Sequence, residues 1–238
     1  MAKLGVNIDH IATLREVRKT RYPDPVEAAK IIENLGASSI VCHLREDRRH
    51  IQDNDIFHIK KVLNIPLNLE MAAREEIRTI ALNVRPAIVT LVPERRQELT
   101  TEGGLNVIHD QTHLRKFIKP LREVGIHVSM FIEPDLDQIQ ASQDIGADVI
   151  EIHTGTYAQS LTRVDQEREL DKIVQAAEYT YSCGLFIAAG HGLHYENTSV
   201  LKQKCPLIEE YNIGHAIIAR AVFLGLERAV KDMKEIVR

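Results

Sequence analysis

Tryptophan is absent from this chain, cysteine occurs only three times in 238 residues, and aromatic residues make up 5%. Cys42, Cys183 and Cys205 are odd in number and form no C-x-x-C pair, which argues against a disulfide framework and against a thiolate zinc site. A reducing compartment is the expectation. Glycine and proline, at 12 and 8, are too few for a collagen-like or low-complexity chain. Neither sign of charge dominates: 30 Lys and Arg against 34 Asp and Glu leave a net charge of -4, which speaks against general nucleic-acid binding. Long apolar runs are lacking as well. No stretch approaches the ~18 apolar residues of a membrane span, because even the apolar C-terminal segment is broken by Arg220. Asn7 and Asp9 interrupt the N-terminal stretch before it could form a signal-peptide core. A soluble, cytoplasmic protein is expected. What the chain does have is 44% hydrophobic residues, enough for a core without staples, and eleven histidines, which is the unusual count.

Short apolar runs recur between longer amphipathic segments. They occupy residues 4–9, 39–44, 66–71, 87–92, 127–132, 148–154, 185–190 and 210–214, and read as strands. Helix-like stretches lie between them at 25–35, 54–63, 74–84, 136–145, 165–183 and 216–237, several opened by Asp, Asn or Pro and closed near Gly. Gly36-Ala37 and Gly146-Ala147 each stand where a helix C-cap would hand over to a strand. Eight β-then-α units in about 250 residues predict a (β/α)₈ TIM barrel with extra loop and helical insertions. A doubly wound sheet is the rival, but the turn after the first strand, His10-Ile11-Ala12-Thr13-Leu14-Arg15, lacks the G-x-G-x-x-G fingerprint. No linker or composition shift divides residues 1–238, so one catalytic domain is expected. The one over-long connection runs from 93 to 126, and its first part, 93–104, reads either as a solvated loop or as a hinged lid.

Parallel strands covered on both faces should be nearly continuous in apolar residues, so polar residues inside them need a reason. Here they fall in register at alternate positions: Asn7 and Asp9; His43 and Arg45; Asn68 and Glu70; Glu151 and His153. The apolar set between them belongs against the helices. Asp9, His43, Arg45, Glu70, Glu151 and His153 then converge in the lumen near the C-terminal strand ends, where barrels keep their active sites. A single buried polar residue is most often a satisfied core group. Six carboxylates and basic groups in a desolvated lumen cost several kcal/mol each unless paired or used.

The last two strands end in Gly190-His191-Gly192 and Gly214-His215, the second opening directly into a helix. Small residues beside a helix N-terminus suit a phosphate, at the usual barrel phosphate site. Arg45, Arg48, Arg49 and His50 add a basic group after the second strand. A metal site is not expected: Asp9 and His10 are adjacent and so point to opposite faces of a strand, and no H-x-H or H-E-x-x-H occurs. No nucleophile elbow is present for a Ser-His-Asp triad.

Several blocks go beyond pattern: Gly5-Val6-Asn7-Ile8-Asp9-His10-Ile11-Ala12-Thr13-Leu14-Arg15, His43-Leu44-Arg45-Glu46-Asp47-Arg48-Arg49-His50, Asn68-Leu69-Glu70-Met71, Leu91-Val92-Pro93-Glu94, Thr100-Thr101-Glu102-Gly103-Gly104, Glu151-Ile152-His153-Thr154-Gly155, Ala189-Gly190-His191-Gly192-Leu193 and Asn212-Ile213-Gly214-His215-Ala216-Ile217. In these, over essentially its whole length, the chain closely resembles the pyridoxine 5'-phosphate synthase family. The resemblance implies ring closure in vitamin B6 synthesis, in which 3-amino-2-oxopropyl phosphate condenses with 1-deoxy-D-xylulose 5-phosphate to give pyridoxine 5'-phosphate, phosphate and water. It implies no metal or organic cofactor, and an assembly of eight identical chains. By position it makes His43 and Glu70 general bases, His191 the general acid, and Glu151 the carboxylate that stabilises cationic intermediates. It assigns Asn7, Arg18, Gly192, Gly214 and His215 to the aminooxopropyl phosphate, and Asp9, His10, Arg45, His50 and Thr100 to the deoxyxylulose phosphate.

Two other readings stand beside it. Another phosphosugar barrel enzyme, such as an isomerase or aldolase, would act on a single phosphorylated substrate; its Schiff-base form needs a lumen lysine, and the eight core strand segments hold none. A catalytically silent phosphoester-binding protein would keep the anion sites without turnover.

Overall fold

The computed structural model describes residues 1–94 and 103–238. In chain order the elements are β1 (Lys3–Asn7), α1 (Asp9–Arg18), α2 (Pro25–Asn34), β2 (Ser39–His43), α3 (Asp53–Val62), β3 (Leu67–Met71), α4 (Glu75–Val84) and β4 (Ile88–Leu91). Then come α5 (Val107–Glu123), β5 (His127–Ile132), α6 (Leu136–Ile145), β6 (Val149–His153), α7 (Gly155–Gln159) and α8 (Arg163–Ser182). The chain ends with β7 (Phe186–Gly190), α9 (Tyr195–Lys204), β8 (Glu210–Ile213), α10 (His215–Leu224) and α11 (Leu226–Val237). The eight strands pair in parallel, each with its chain neighbour, and β1 closes on β8. This is the expected (β/α)₈ barrel, and closure removes the open edges a doubly wound sheet would have.

Local chemistry explains the boundaries. Asp24 accepts the Val26 N–H at 2.8 Å ahead of Pro25, so α2 starts with a capped first turn. Asp135 and Thr162 cap α6 and α8 in the same way. Gly146 ends α6 at φ +96, a conformation that places its N–H on the last carbonyls of the helix. The segment expected as one helix over 216–237 is two: Gly225, at φ +82, separates α10 from α11. Three further helices, α1, α7 and α9, follow their strands with little warning in the hydrophobic pattern, and α5 fills the second half of the long connection.

Side-chain alternation sorts the lumen from the helix-facing core as expected. Val6, Ile8, Ile40, Cys42, Leu67, Leu69, Met71, Ile150 and Ile152 belong to the apolar layer under the helices. Val41, Phe131, Val149 and Ala188 are just as buried but lie outside that layer, on the lumen side. Deep in the lumen two polar pairs satisfy one another: Ser39 Oγ donates to Glu210 Oε1, and Thr90 Oγ1 to Asn68 Oδ1, both at 2.8 Å. Gly5 is required there, because a Cβ would lie 2.1 Å from Asn212 Oδ1. β1 begins one residue earlier than expected and so includes Lys3, but its exposed ammonium covers the Phe186 ring at the N-terminal end of the barrel. That is the end opposite the site, so the argument against a Schiff-base aldolase stands.

Candidate active site

The C-terminal strand ends and the loops beyond them enclose a cavity of about 640 Å³. Asn7, Asp9, His10, His43, Arg45, His50, Glu70, Glu151, His191, Gly192, Gly214 and His215 all line it. Of the described residues expected with them, Arg18 and His153 do not line it. Arg18, the last residue of α1, is exposed and lines no part of the cavity, and Thr100 lies outside the described residues.

One wall is a network of acids. Asp9 is not on a strand but opens α1, where its Oδ1 accepts the His43 backbone N–H at 2.9 Å and its Oδ2 accepts Asn7 Nδ2 at 3.1 Å. Asn7 Nδ2 also reaches Glu70 Oε2 at 3.4 Å. Because Asp9 and His10 are helical rather than extended, both line the cavity, and the expectation that they face opposite ways is corrected. Asp9, His43 and Glu70 bring one possible ligand atom each to within 4.8 Å of one another, a grouping from separate elements that local spacing could not reveal. Hydrogen bonds within the protein already engage these groups: Asn7 bonds Asp9 and Glu70, and His43 Nε2 lies 2.7 Å from Glu94 Oε1.

Burial acts strongly on this wall. Desolvation, then the neighbouring Glu151 and Asp9 carboxylates, push the Glu70 carboxyl well above the usual carboxylate range. Burial raises Glu151 to about 7, opposed by the Asn212 Nδ2 hydrogen bond to Oε2 at 2.8 Å and helped by Glu210. Glu94 goes the other way. Burial would raise it, but the bonds from His43 and from the Glu46 N–H outweigh that and hold it low. The carboxylate paired to His43 therefore favours its charged form, whereas Glu70 is pushed toward its protonated one.

The opposite wall comes from the ends of β7 and β8. His191 sits at φ +76 and Gly192 at φ +75, and burial followed by the nearby His153 pulls His191 down to about 4. Gly214 precedes the ten-residue α10, whose N-terminal N–H groups open on the cavity. A Cβ at Gly214 would lie 2.9 Å from Asn7 Cβ and 3.0 Å from Asn7 O. Close packing of β8 on β1, and not only ligand approach, demands glycine there. The His10 and His215 rings, both lining the cavity, meet at a tilt of 49° with centroids 5.1 Å apart, and burial lowers His10.

The chain matches the model of the family described as pyridoxal phosphate biosynthesis protein PdxJ over residues 4–238. It belongs to this family. Its relatives include pyridoxine 5'-phosphate synthases from a Sulfurihydrogenibium species, 58% identical over 99% of this chain and 97% of the relative, and from Aquifex pyrophilus, 55% identical over 97% and 99%. Among solved structures, KGPDC from Streptococcus mutans matches with a TM-score of 0.66 at 12% identity, covering 100% of this chain and 97% of that one. A thiamine phosphate pyrophosphorylase from Pyrococcus furiosus matches with a TM-score of 0.60 at 17% identity, covering 99% and 95%. At these identities the two structures share the fold alone.

Residues that sequence reasoning left without a role also lie at this site. Glu94 stood in the segment read as a loop or lid, yet its side chain is 4% exposed and faces His43. Its signal was present only as part of the Leu91-Val92-Pro93-Glu94 block, because past the strand end alternation no longer says where a side chain points. Asn212 was readable: it lies two positions from Glu210 on β8 and shares its lumen parity.

Proposed function

We propose that the chain closes the pyridine ring of vitamin B6, condensing 3-amino-2-oxopropyl phosphate with 1-deoxy-D-xylulose 5-phosphate to pyridoxine 5'-phosphate, phosphate and water. The observation that carries this reading, beside family membership, is a cavity lined at once by two carboxyls of raised pKa, Glu70 and Glu151, by Arg45 and His50, and by Gly192, Gly214 and His215. Its volume falls within the ~300–1,000 Å³ usual for small-molecule sites.

Joining an amine to a ketone passes through a carbinolamine and a protonated imine, and phosphate loss and dehydration then need proton transfer at several atoms. A cation arriving between Glu70 and Glu151 favours their charged forms, so the imine would ionise the carboxylate that stabilises it and the one that acts as base. His43 hydrogen-bonds Glu94 through Nε2, which leaves Nδ1 to accept a proton. A phosphate dianion bound by Gly192, Gly214 and His215 raises the affinity of His191 for the proton it must deliver. Arg45, His50 and Thr100 hold the second phosphate, Asp9 and His10 contact the rest of the deoxyxylulose phosphate, and Arg45 supports phosphate departure by stabilising developing negative charge. No metal or organic cofactor enters these steps.

We also propose a homo-octamer, as the family resemblance implies, with no nucleic-acid or membrane partner. The exposed apolar side chains Leu14, Val17 and Tyr22 on and after α1, and Val222, Phe223 and Leu224 at the end of α10, support an assembly. Arg18 sits among them, where a second chain could lie against it. Among the described residues no helix is long and apolar enough to cross a membrane. Purified protein given both substrates should release phosphate and form the product chromophore, and neither substrate alone should do so. Treatment with a metal chelator should leave that rate unchanged; loss on chelation and rescue by one divalent ion would overturn the metal-free mechanism.

A further inference from the structure

His153, singled out by strand parity, has no task in the mechanism above. It ends β6, is buried, and its Nδ1 lies 2.8 Å from Glu133 Oε1, an oxygen that also accepts the Gly104 N–H at 2.8 Å. A carboxylate can only accept, so Nδ1 donates that bond, which leaves Nε2 as the second ring nitrogen to account for. That Nε2 is fully buried and has no hydrogen-bond partner among the described residues. An unpartnered polar atom in a core asks for an explanation, and the neighbouring ring supplies one. The His153 and His191 rings lie 5.0 Å apart between centroids, and the edge of Phe131 packs on both.

The backbone is built to keep that pairing. Thr154 is wholly buried, and its hydroxyl is shared between the carbonyl oxygens of Gly190 at 2.8 Å and His191 at 2.6 Å, which clamps His191 in a left-handed conformation unusual for a residue with a side chain. Gly155 follows; a Cβ there would lie 2.5 Å from His153 Nε2 and 3.0 Å from His191 Cδ2. Only glycine lets the two imidazoles share this space.

We infer that His153, locked by Glu133, is a positioning residue that sets the orientation and protonation of the His191 ring. The inference rests on the reading of His191 as proton donor. The titratable groups acting on His191 are His153 from β6 and Glu133 from the β5–α6 turn, and they act with opposite sign: His153 adds to the lowering by burial, whereas Glu133 opposes it. A mere packing role would not separate these two signs.

Histidine-labelled full-length protein, followed by NMR across pH with the His191 signal assigned by its loss in His191→Asn, tests this. Glu133→Gln keeps an acceptor for His153 Nδ1–H and for the Gly104 N–H but loses the charge, so the His191 midpoint should fall. His153→Asn should raise it. Both variants should lose kcat by ~10–10²-fold, with KM changed far less, as expected when a reacting group is misplaced and not when binding is removed. Midpoints that stay together in folded variants overturn the inference, even if turnover falls. Glu133 is half-exposed, so Glu133→Gln keeps the test open should His153→Asn fail to fold. Near-wild-type turnover in His191→Asn would instead overturn the proton-donor reading, a failure visible in that variant alone.

Discussion

Two hollows of similar size occupy opposite ends of the barrel, about 640 Å³ at the C-terminal mouth and about 550 Å³ beneath the start of β5. Both are lined by charged residues. At the lower hollow Arg122 faces Asp148 at 3.3 Å and Lys119 faces Glu123 at 3.9 Å, the first pair partly and the second largely in water. At the mouth Glu151 has almost none and Glu70, half-buried, faces the Glu151 and Asp9 carboxylates, and their acidities move accordingly. Volume and charge alone therefore do not mark the site. Desolvation does, because removing water from a carboxylate changes when it gives up its proton, whereas an exposed ion pair contributes only ~0–1 kcal/mol and performs no chemistry.

The contrast breaks most sharply at Glu70. Glu70→Gln should keep the fold and both substrates but lose ~10²–10⁴-fold in turnover, as removal of a general base commonly does. Near-wild-type phosphate release from the folded variant would place the base elsewhere.

Next comes a stability effect of the same desolvation. Glu151 binds its proton more tightly in the folded chain than in the unfolded one, so stability falls as pH rises from the ordinary carboxylate range through about 7. The penalty above that pH is on the order of 3 kcal/mol. Glu151→Gln removes it, and should raise the urea midpoint at pH 8 far more than at pH 5 while abolishing turnover. Equal midpoint shifts at the two pH values would mean that Glu151 is not held in a desolvated state.

The two ends of the upper cavity should then separate. Arg45→Ala should weaken the deoxyxylulose phosphate by ~1.5–3 kcal/mol, the range for a charged hydrogen bond, and spare the aminooxopropyl phosphate; Gly214→Val should do the reverse. Because a side chain at 214 presses on Asn7, which also touches Glu70, the Gly214 variant should lose some turnover as well. Calorimetric titration of each substrate into each variant checks this, and equal weakening of both would end the two-ended assignment.

The smallest effect belongs to the lower hollow. Arg122→Ala should change stability by no more than ~0.5 kcal/mol and leave kcat and KM alone. A large loss of turnover there would break the contrast from the other side.

The strands, their order and the face each polar residue takes were legible along the chain, because a two-residue alternation within an apolar run is a local property. That alternation placed His43, Glu70, Glu151 and His153 in the lumen, and the structure keeps them there. It turned His10 away from Asp9 because it assumed the strand continued, whereas α1 begins at Asp9 and both residues line the cavity. It could not say that Glu94 folds back on His43, that Glu133 reaches His153, or that Asp9, His43 and Glu70 meet within 4.8 Å. Those contacts join residues 20 to 61 positions apart in the chain, and only closure of the barrel sets their separations. Proton affinity was beyond the sequence for the same reason. Glu70, Glu94 and Glu151 are one residue type, and their acidities diverge only through the water each has lost and the neighbours that tertiary packing has set against it.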